Sequence, residues 1–208
     1  MAQFFSLHPE HPQLRLIRQA VDIIHDGGLI VIPTDAAYAL GGQTGNATLL
    51  DRIRRIRAVD ERHHFTLMCR DLSEISTYAR VDNSQFRLLK ATTPGPYTFI
   101  LEGTRELPRR VLHPKRKTIG LRIPEHAVVS ALLAELGEPL LTSTLLLPDQ
   151  TDPLTDIDEI RELLEKQVDL IIEGGPCGLD TTSVIDLTTG TPSLVRAGKG
   201  DLTPFALE

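Results

Sequence analysis

The sequence is poor in cysteine, in aromatic residues and in long apolar runs. Its 208 residues include two cysteines, six phenylalanines, three tyrosines and no tryptophan. Cys69 and Cys177 lie too far apart for a Cys-x-x-Cys motif or a zinc-ligand spacing, so we expect buried free thiols in a reducing compartment. With so few aromatic side chains, a base-stacking platform for single-stranded nucleic acid is not expected.

Segments that direct a protein to or through a membrane are also missing. No uncharged stretch approaches the roughly 18 apolar residues of a membrane-spanning helix. The first residues lack the basic region and apolar run of a signal peptide. We therefore expect no membrane partner and a cytoplasmic location. The 41% apolar and 24% charged residues are typical of a globular domain that needs no metal or disulfide for stability.

Common catalytic and cofactor motifs are absent as well. Gly41, Gly42 and Gly45 do not have the Gly-x-Gly-x-x-Gly spacing, and no Gly-Lys-Ser/Thr follows, which argues against a Rossmann or P-loop site. No serine lies in a Gly-x-Ser-x-Gly motif. His63 and His64 are adjacent in a polar segment, which predicts surface histidines rather than metal ligands. We expect no covalently bound cofactor and no metal site of the protein's own.

Positive charge is concentrated in one segment of an acidic chain. The net charge is −6, yet residues 105–122 carry seven Lys or Arg against one Glu. Such a local cluster can bind polyanions, RNA included. It can equally be a solvated loop whose charges only keep the protein soluble, and the sequence leaves both interpretations open.

Short apolar runs alternate with amphipathic segments along the whole chain. Apolar residues at helical spacing over 14–24 end at Gly27-Gly28, and the apolar run 29–33 follows as a buried strand. A second helix begins at Asn46, and Asp71 opens a third with a capping-box pattern. Further helices are predicted near 83–91, 125–136 and 156–166, and further strands at 65–69, 97–101, 118–123, 140–144, 168–173, 182–187 and 193–196. The alternation predicts one α/β domain over 1–208, with helices covering a mixed sheet.

Polar side chains occur where several of these strands begin or end. They are Thr34, Arg122, Thr142, Ser143, Thr144, Ser183 and Arg196. Ligands collect outside strand ends in open α/β sheets, and arginines bind phosphates through paired hydrogen bonds. Each residue alone could be an ordinary capping hydroxyl or surface arginine. As a set they favour an anionic small molecule, and we predict that Thr34, Arg122, Thr144, Ser183 and Arg196 converge on one cavity.

Five segments, in this order, resemble signature motifs of the YrdC-like family. They are 33–41 (PTDAAYALG), 94–99 (PGPYTF), 118–124 (TIGLRIP), 181–186 (TTSVID) and 194–198 (LVRAG). Segments 65–73 and 115–120 resemble the YciO branch in particular. The resemblance extends from about residue 5 to 205, and five ordered motifs are specific.

The resemblance implies a single YrdC-like domain with a twisted mixed β-sheet around a basic concave cavity. Synthases of this family join L-threonine, bicarbonate and ATP into threonylcarbamoyl-AMP for tRNA modification to threonylcarbamoyladenosine. By position, a threonine-like substrate would contact Thr34, Tyr38, Arg122 and Ser183. An ATP or AMP-like nucleotide would contact Arg57, Thr142, Thr144 and Arg196. A magnesium ion would accompany ATP and bridge its phosphates.

The sequence departs from the synthase pattern at three positions. The synthases' Lys-x-Arg-Pro is replaced by Arg57-Ala58-Val59-Asp60, so one cation is lost unless Arg62 replaces it. The synthases' Ser-Ala-Asn becomes Thr144-Leu145-Leu146, and Cys69 stands where synthases often carry a histidine. Losing one oriented donor costs on the order of 3–4 kcal/mol at a transition state. The resemblance therefore implies a nucleotide-binding protein with weak or altered synthase activity and no identified catalytic residue.

The alternative is a YciO-type protein that binds double-stranded RNA or tRNA without synthase activity. Duplex RNA is recognised mainly through phosphate and 2′-hydroxyl contacts, which suits a cluster of exposed cations. The candidate contacts are Arg109, Arg110, Lys115, Arg116 and Lys117.

Overall fold

One sheet of ten strands runs through the protein in the order β1-β8-β2-β3-β7-β4-β6-β5-β9-β10. The computed structural model describes residues 1–207; Glu208, the last residue of the predicted domain, lies outside the described part. The strands are β1 (Gln3–Ser6), β2 (Ile30–Ile32), β3 (Ala39–Gln43), β4 (Thr66–Met68), β5 (Tyr97–Glu102), β6 (Thr118–Arg122), β7 (Leu140–Thr144), β8 (Leu170–Glu173), β9 (Ser183–Asp186) and β10 (Ser193–Arg196). The α-helices are α1 (Leu14–His25), α2 (Ala47–Arg57), α3 (Leu72–Tyr78), α4 (Asn83–Thr92), α5 (Ala127–Leu136) and α6 (Ile157–Leu164), with 3₁₀ turns at Arg109–Val111 and Thr203–Phe205.

The sheet is mixed, and the prediction of a single α/β domain is confirmed. Parallel pairs are β1–β8, β2–β8, β4–β6 and β5–β9. The remaining pairs are antiparallel, including β9–β10, which a short connection joins. No helix within residues 1–207 is long and apolar enough to span a bilayer. Both cysteines are buried and unbonded, as predicted.

Helices pack on both faces of the sheet. On one face, α2, α3, α4 and α6 bury their apolar sides in the larger core cluster. On the other face, α1 and α5 pack over a smaller cluster that includes Ile30, Met68 and Leu140. Two residues along from Met68 and Leu140, on the same face, lie Thr66 and Thr142. Small polar side chains thus replace apolar ones where the helices no longer cover this face.

Local signals explain where the helices begin and end. Asn46 caps α2 by accepting a hydrogen bond from a first-turn amide at 3.1 Å, as predicted. Gly27, at φ +84°, ends α1 in the left-handed conformation that glycine adopts freely. The capping box predicted for α3 is only half formed. Asp71 accepts from the Glu74 amide, but the Glu74 carboxylate accepts from the Arg70 amide instead of that of Asp71.

Two strands were not predicted. β3 contains Gly41 and Gly42. Because glycine is unfavourable in strands, the sequence of this segment does not predict a strand. The glycines are required by close packing: a Cβ on Gly42 would lie 2.6 Å from the Leu49 side chain. β1 is only four residues long and gains its parallel pairing from β8, near the opposite end of the chain. Neither strand has a sufficient local pattern of its own.

Candidate functional site

A cleft with two connected parts opens over the polar region of the sheet face. The outer cavity has a volume of about 340 Å³ and the inner pocket about 20 Å³. Five threonines line both parts and make them continuous: Thr66, Thr98, Thr144, Thr181 and Thr182. Because a hydroxyl both donates and accepts hydrogen bonds, this lining suits a polar ligand.

The floor of the cleft is set by alternation along the strands. Thr98 on β5 and Gly120 on β6 face the outer cavity, on either side of the antiparallel β5–β6 pairing. A Cβ on Gly120 would lie 2.8 Å from Thr66 Oγ1, so only glycine leaves the floor open here. Along β9, Val184 faces the cavity, whereas Ser183 and Ile185 point to the core and are fully buried.

Three arginines line the outer cavity, and no carboxylate of residues 1–207 does. They are Arg57, Arg62 and Arg196. Neither Arg57 nor Arg196 forms an ion pair with any carboxylate in the described part of the chain. Burial lowers the pKa of both guanidinium groups, and the charge of Arg196 lowers the pKa of Arg57 further. Two uncompensated cations this close together create a site for an anion.

Neutral groups hold Arg57 in position. Its Nε donates to the Leu146 carbonyl at 3.2 Å, and its Nη1 donates to Ser143 Oγ at 2.6 Å and to His63 Nε2 at 3.1 Å. His63 Nε2 and Ser143 Oγ are 2.9 Å apart. Burial, followed by the charge of Arg57, lowers the pKa of His63 to about 4. The imidazole is therefore neutral at pH 7, which suits its role as an acceptor.

The prediction that His63 and His64 are surface histidines is wrong. Both are half-buried and line the outer cavity. His64 contacts Thr118 Oγ1 at 3.3 Å and stacks on His113, with 4.6 Å between the ring centroids. The segment from α2 to β4 folds back over the end of β7, and this long-range packing buries them.

The inner pocket contains a paired arginine. Arg122 is 5% exposed, and its Nη2 forms an ion pair with Asp35 Oδ1. The other Asp35 oxygen accepts from the Glu125 amide at 3.0 Å. Arg122 Nε is buried and has no hydrogen-bond partner among residues 1–207. Arg122 thus lines the inner pocket with a guanidinium group that Asp35 does not fully satisfy, and it does not belong to the exposed part of the basic segment.

The structure brings together only part of the predicted strand-end set. Arg122 and Thr144 line the inner pocket, and Thr144 and Arg196 line the outer cavity. Ser183 lies on the opposite face of the sheet from Arg122; its Oγ donates to the Gly200 carbonyl at 2.7 Å and accepts from the Gly198 amide at 3.1 Å. Convergence of all five side chains on one cavity is therefore wrong.

Three more residues that were predicted to contact the ligand are hydrogen-bonded or buried within the protein itself. Thr34 Oγ1 donates to the Ala37 carbonyl at 2.6 Å and accepts from the Ala36 amide at 3.0 Å, and it lines neither part of the cleft. The Tyr38 ring is buried in the core, and burial raises the pKa of its hydroxyl. Thr142 lines the inner pocket while its Oγ1 donates to the Thr66 carbonyl at 2.9 Å.

Sequence reasoning missed Thr182, which occupies the cleft position that Ser183 was expected to hold. Its Oγ1 lies 2.8 Å from Thr98 Oγ1, and its carbonyl accepts from Arg196 Nη2 at 3.0 Å. The signal was available: residues two apart share a face of a strand, and Ile185 is an obvious core residue. Ser183 therefore had to face the core, and Thr182 the cleft.

The departures from the synthase pattern fall in different places. Leu146 lines the outer cavity, and so does Arg62, while Val59 does not. The substitute cation considered at Arg62 is thus present in the cavity wall. The Cys69 side chain is buried in the larger core cluster, and Met68 lines the inner pocket instead. Cys69 therefore lines neither part of the cleft.

The five cations predicted to contact RNA are exposed and lie on two neighbouring turns. They are Arg109 and Arg110 on the first 3₁₀ turn and Lys115, Arg116 and Lys117 on the turn before β6. His113 Nδ1 accepts from the Arg116 amide at 3.2 Å, and Arg116 approaches Asp186 at 3.8 Å. Since His113 also stacks on His64, this second turn, residues 113–117, is attached to the wall of the outer cavity.

A family model, Sua5/YciO/YrdC, described as "Telomere recombination", matches residues 22–198. The chain belongs to the Sua5/YciO/YrdC family. It is 57% identical over 205 residues to YciO of Escherichia coli, an uncharacterised protein, covering 99% of this chain and all of that one. The crystal structure of E. coli YciO superposes with a TM-score of 0.96 over 99% of this chain at 56% identity.

More distant members of the Sua5/YciO/YrdC family include an enzyme. Threonylcarbamoyl-AMP synthase of Bos taurus is 29% identical over 191 residues, which cover 88% of this chain and 67% of the synthase. The crystal structure of P. abyssi Sua5 complexed with L-threonine has a TM-score of 0.85 at 23% identity, over 94% of this chain and 57% of Sua5. The predicted family, its YciO branch and the relation to the synthase are confirmed.

Proposed function

We propose that the cleft binds an adenine nucleotide, ATP or AMP-like, with its phosphates between Arg57 and Arg196. The observation that supports this most directly is the pair of recessed guanidinium groups with no carboxylate partner in residues 1–207. Charge-assisted hydrogen bonds from arginine to phosphate are strong, and the threonine hydroxyls beside them suit ribose and phosphate oxygens. Magnesium would accompany ATP through phosphate oxygens alone, since no carboxylate in the described chain lines the outer cavity.

The inner pocket is the proposed position for the carboxylate of a threonine-like substrate. The unpartnered Arg122 Nε supports this, as does the L-threonine bound by P. abyssi Sua5. A pocket of about 20 Å³ has room for little more than one water molecule. An amino acid must therefore displace the pocket wall, and this cost lowers its affinity.

Synthesis of threonylcarbamoyl-AMP by this chain is proposed to be slow. Pyrophosphate gains charge as it leaves the α-phosphate, and fixed donors must stabilise that charge. Leu146 offers an apolar side chain in the cavity where the synthases carry an amide, and only Arg62 compensates for Val59. The chain thus keeps the nucleotide site of its enzyme relatives with a weaker set of donors.

Calorimetric titration with AMP, ATP and L-threonine tests the binding, and pyrophosphate release from ATP, L-threonine and bicarbonate tests the synthesis. We expect AMP and ATP to bind in the micromolar to millimolar range and pyrophosphate to appear slowly. Changing Arg57→Lys, Val59→Arg and Leu146→Asn together should raise the rate. Absence of nucleotide binding would contradict the proposal, and brisk synthesis by the natural chain would contradict the weakened donor set.

A second function is proposed at the exposed cations: binding of double-stranded RNA or tRNA. The observation that favours it is the attachment of residues 113–117 to the cavity wall through the stack of His113 on His64. An RNA backbone held by Lys115, Arg116 and Lys117 would lie beside the mouth of the cleft. Salt-dependent binding of duplex RNA tests this proposal.

A further inference from the structure

Beside the phosphate-binding Arg57 lie two side chains, Ser143 and His63, that neither the nucleotide site nor the threonine site uses. All three line the outer cavity. Arg57 Nη1 can only donate, so its contacts at 2.6 Å to Ser143 Oγ and 3.1 Å to His63 Nε2 make both of these atoms acceptors. In the tautomer that leaves Nε2 unprotonated, the hydroxyl hydrogen of Ser143 can point at His63 Nε2, 2.9 Å away, and share its single lone pair with Arg57 Nη1.

A serine hydroxyl that donates to a neutral imidazole is the arrangement that activates serine for attack. Burial and the charge of Arg57 lower the pKa of His63 to about 4, so Nε2 can accept a proton at neutral pH. A phosphate bound against Arg57 cancels part of that charge and raises the pKa of His63 toward the range of an effective general base. The base thus becomes stronger when the ligand is present.

We propose that Ser143 is a nucleophile toward phosphorus, with His63 as its base and Arg57 as the cation that holds the phosphate, so that the cleft hydrolyses a phosphoanhydride. The choice of phosphorus follows from position. Arg57 approaches Ser143 Oγ at 2.6 Å, so a phosphate bound to this guanidinium lies next to the hydroxyl. The identity of the anhydride, that of ATP, rests on the nucleotide site proposed above.

The reaction has two steps. First, a bond forms between Ser143 Oγ and phosphorus, and the bond from phosphorus to its bridging oxygen breaks. The hydroxyl proton passes to His63 Nε2 and then to the leaving phosphate. Next, water attacks the same phosphorus and gives a proton to Nε2, and Ser143 Oγ leaves and takes that proton back. One anhydride and one water become two phosphates.

A fluorophosphonate probe tests the nucleophile directly, because serine displaces fluoride from its phosphorus without any need for nucleotide. We expect one adduct by intact-mass spectrometry, located on Ser143 by peptide mapping of the natural chain. Labelling should be lost in Ser143→Ala and slowed about a hundredfold in His63→Gln. Ser130→Ala, on the exposed side of α5, is the matched control and should label at the natural rate.

Hydrolysis of ATP, followed by chromatography of the products, tests the reaction. ADP with phosphate would show cleavage of the β–γ anhydride, and AMP with pyrophosphate cleavage of the α–β anhydride; either set of products should disappear in Ser143→Ala. No Ser143 adduct and no hydrolysis, with calorimetric ATP binding intact, would overturn the proposal, and Ser143 and His63 would then only position Arg57. If the natural chain does not bind ATP but the probe still labels Ser143, the proposed nucleotide site is wrong and the assignment of Ser143 as a nucleophile stands.

Discussion

Arg122 in the inner pocket pairs with the Asp35 carboxylate, whereas within residues 1–207 Arg57 and Arg196 in the outer cavity form hydrogen bonds only with neutral groups. The two parts share five threonines but differ in volume, at about 20 and 340 Å³. In the inner pocket the protein neutralises its own cation and closes the space around it. In the outer cavity it leaves both charge and space for a ligand. The ion pair of the inner pocket therefore contributes mainly to the stability of the fold, and the unpaired arginines of the outer cavity are suited to binding a ligand.

Removing the Asp35 carboxylate should produce the largest effect. Asp35→Ala leaves Arg122 buried without its counter-ion, and breaking a buried pair costs about 3–5 kcal/mol of unfolding free energy. Urea denaturation measures this loss. Arg196→Gln breaks no ion pair and should cost much less than Asp35→Ala. Equal losses for the two variants would remove the distinction between the two parts of the cleft.

The neutral lining of the outer cavity predicts a pH dependence. The pKa of His63 is about 4 in the folded protein and about 6.5 in the unfolded chain, so the unfolded chain binds more protons between these values. The unfolding free energy therefore has its full His63 contribution above pH 6.5. This contribution falls as the pH decreases toward 4, by up to about 3 kcal/mol. His63→Gln should flatten the dependence in urea titrations across this range. An unchanged slope would show that His63 is solvated.

Nucleotide affinity should depend on the unpaired cations. Arg196→Gln removes charge-assisted hydrogen bonds worth about 1.5–3 kcal/mol, which corresponds to a binding of AMP that is weaker by about 10- to 140-fold. Calorimetry measures the change. Arg110→Gln, a matched loss of an exposed arginine, should leave AMP binding as it is. If both variants bind AMP equally well, the recessed pair is not the phosphate site.

The smallest effect is expected at the exposed turn and concerns salt rather than stability. Changing Lys115, Arg116 and Lys117 to alanine should reduce the slope of log affinity for duplex RNA against log salt concentration by up to about three. AMP binding should not change, since these side chains lie outside the cavity. Filter binding at several salt concentrations gives the slope. A slope equal to that of the natural chain would identify the turn as a solvated loop.

The helices and strands that could be predicted from sequence are those whose apolar residues repeat at helical or strand spacing within the segment itself. α1 and α2 show helical spacing and end signals at Asn46 and Gly27, and both formed as expected. β3 was missed because its two glycines are required by close packing against Leu49 and Leu140, which are distant in sequence. The five residues of β3 alone therefore do not predict a strand.

The cleft was predictable to a similar extent. Arg122, Thr144 and Arg196 follow apolar runs on the side that faces the cleft, so their position at strand ends predicted them. Ser183 was predicted wrongly because its side chain points to the opposite face of the sheet, a property that its position at a strand end does not reveal. The contact of His63 with Ser143 joins a loop to a strand 80 residues away, and no local pattern predicts such a pair.

The open floor of the cleft depends on the absence of a side chain at Gly120. A single added methyl group there would meet Thr66 Oγ1 at 2.8 Å and Thr98 Cγ2 at 3.0 Å. Because the Phe65 carbonyl oxygen would also lie only 3.2 Å away, neighbouring side chains or backbone would have to shift to admit the methyl group. One carbon atom at position 120 therefore decides whether the cleft has an open floor.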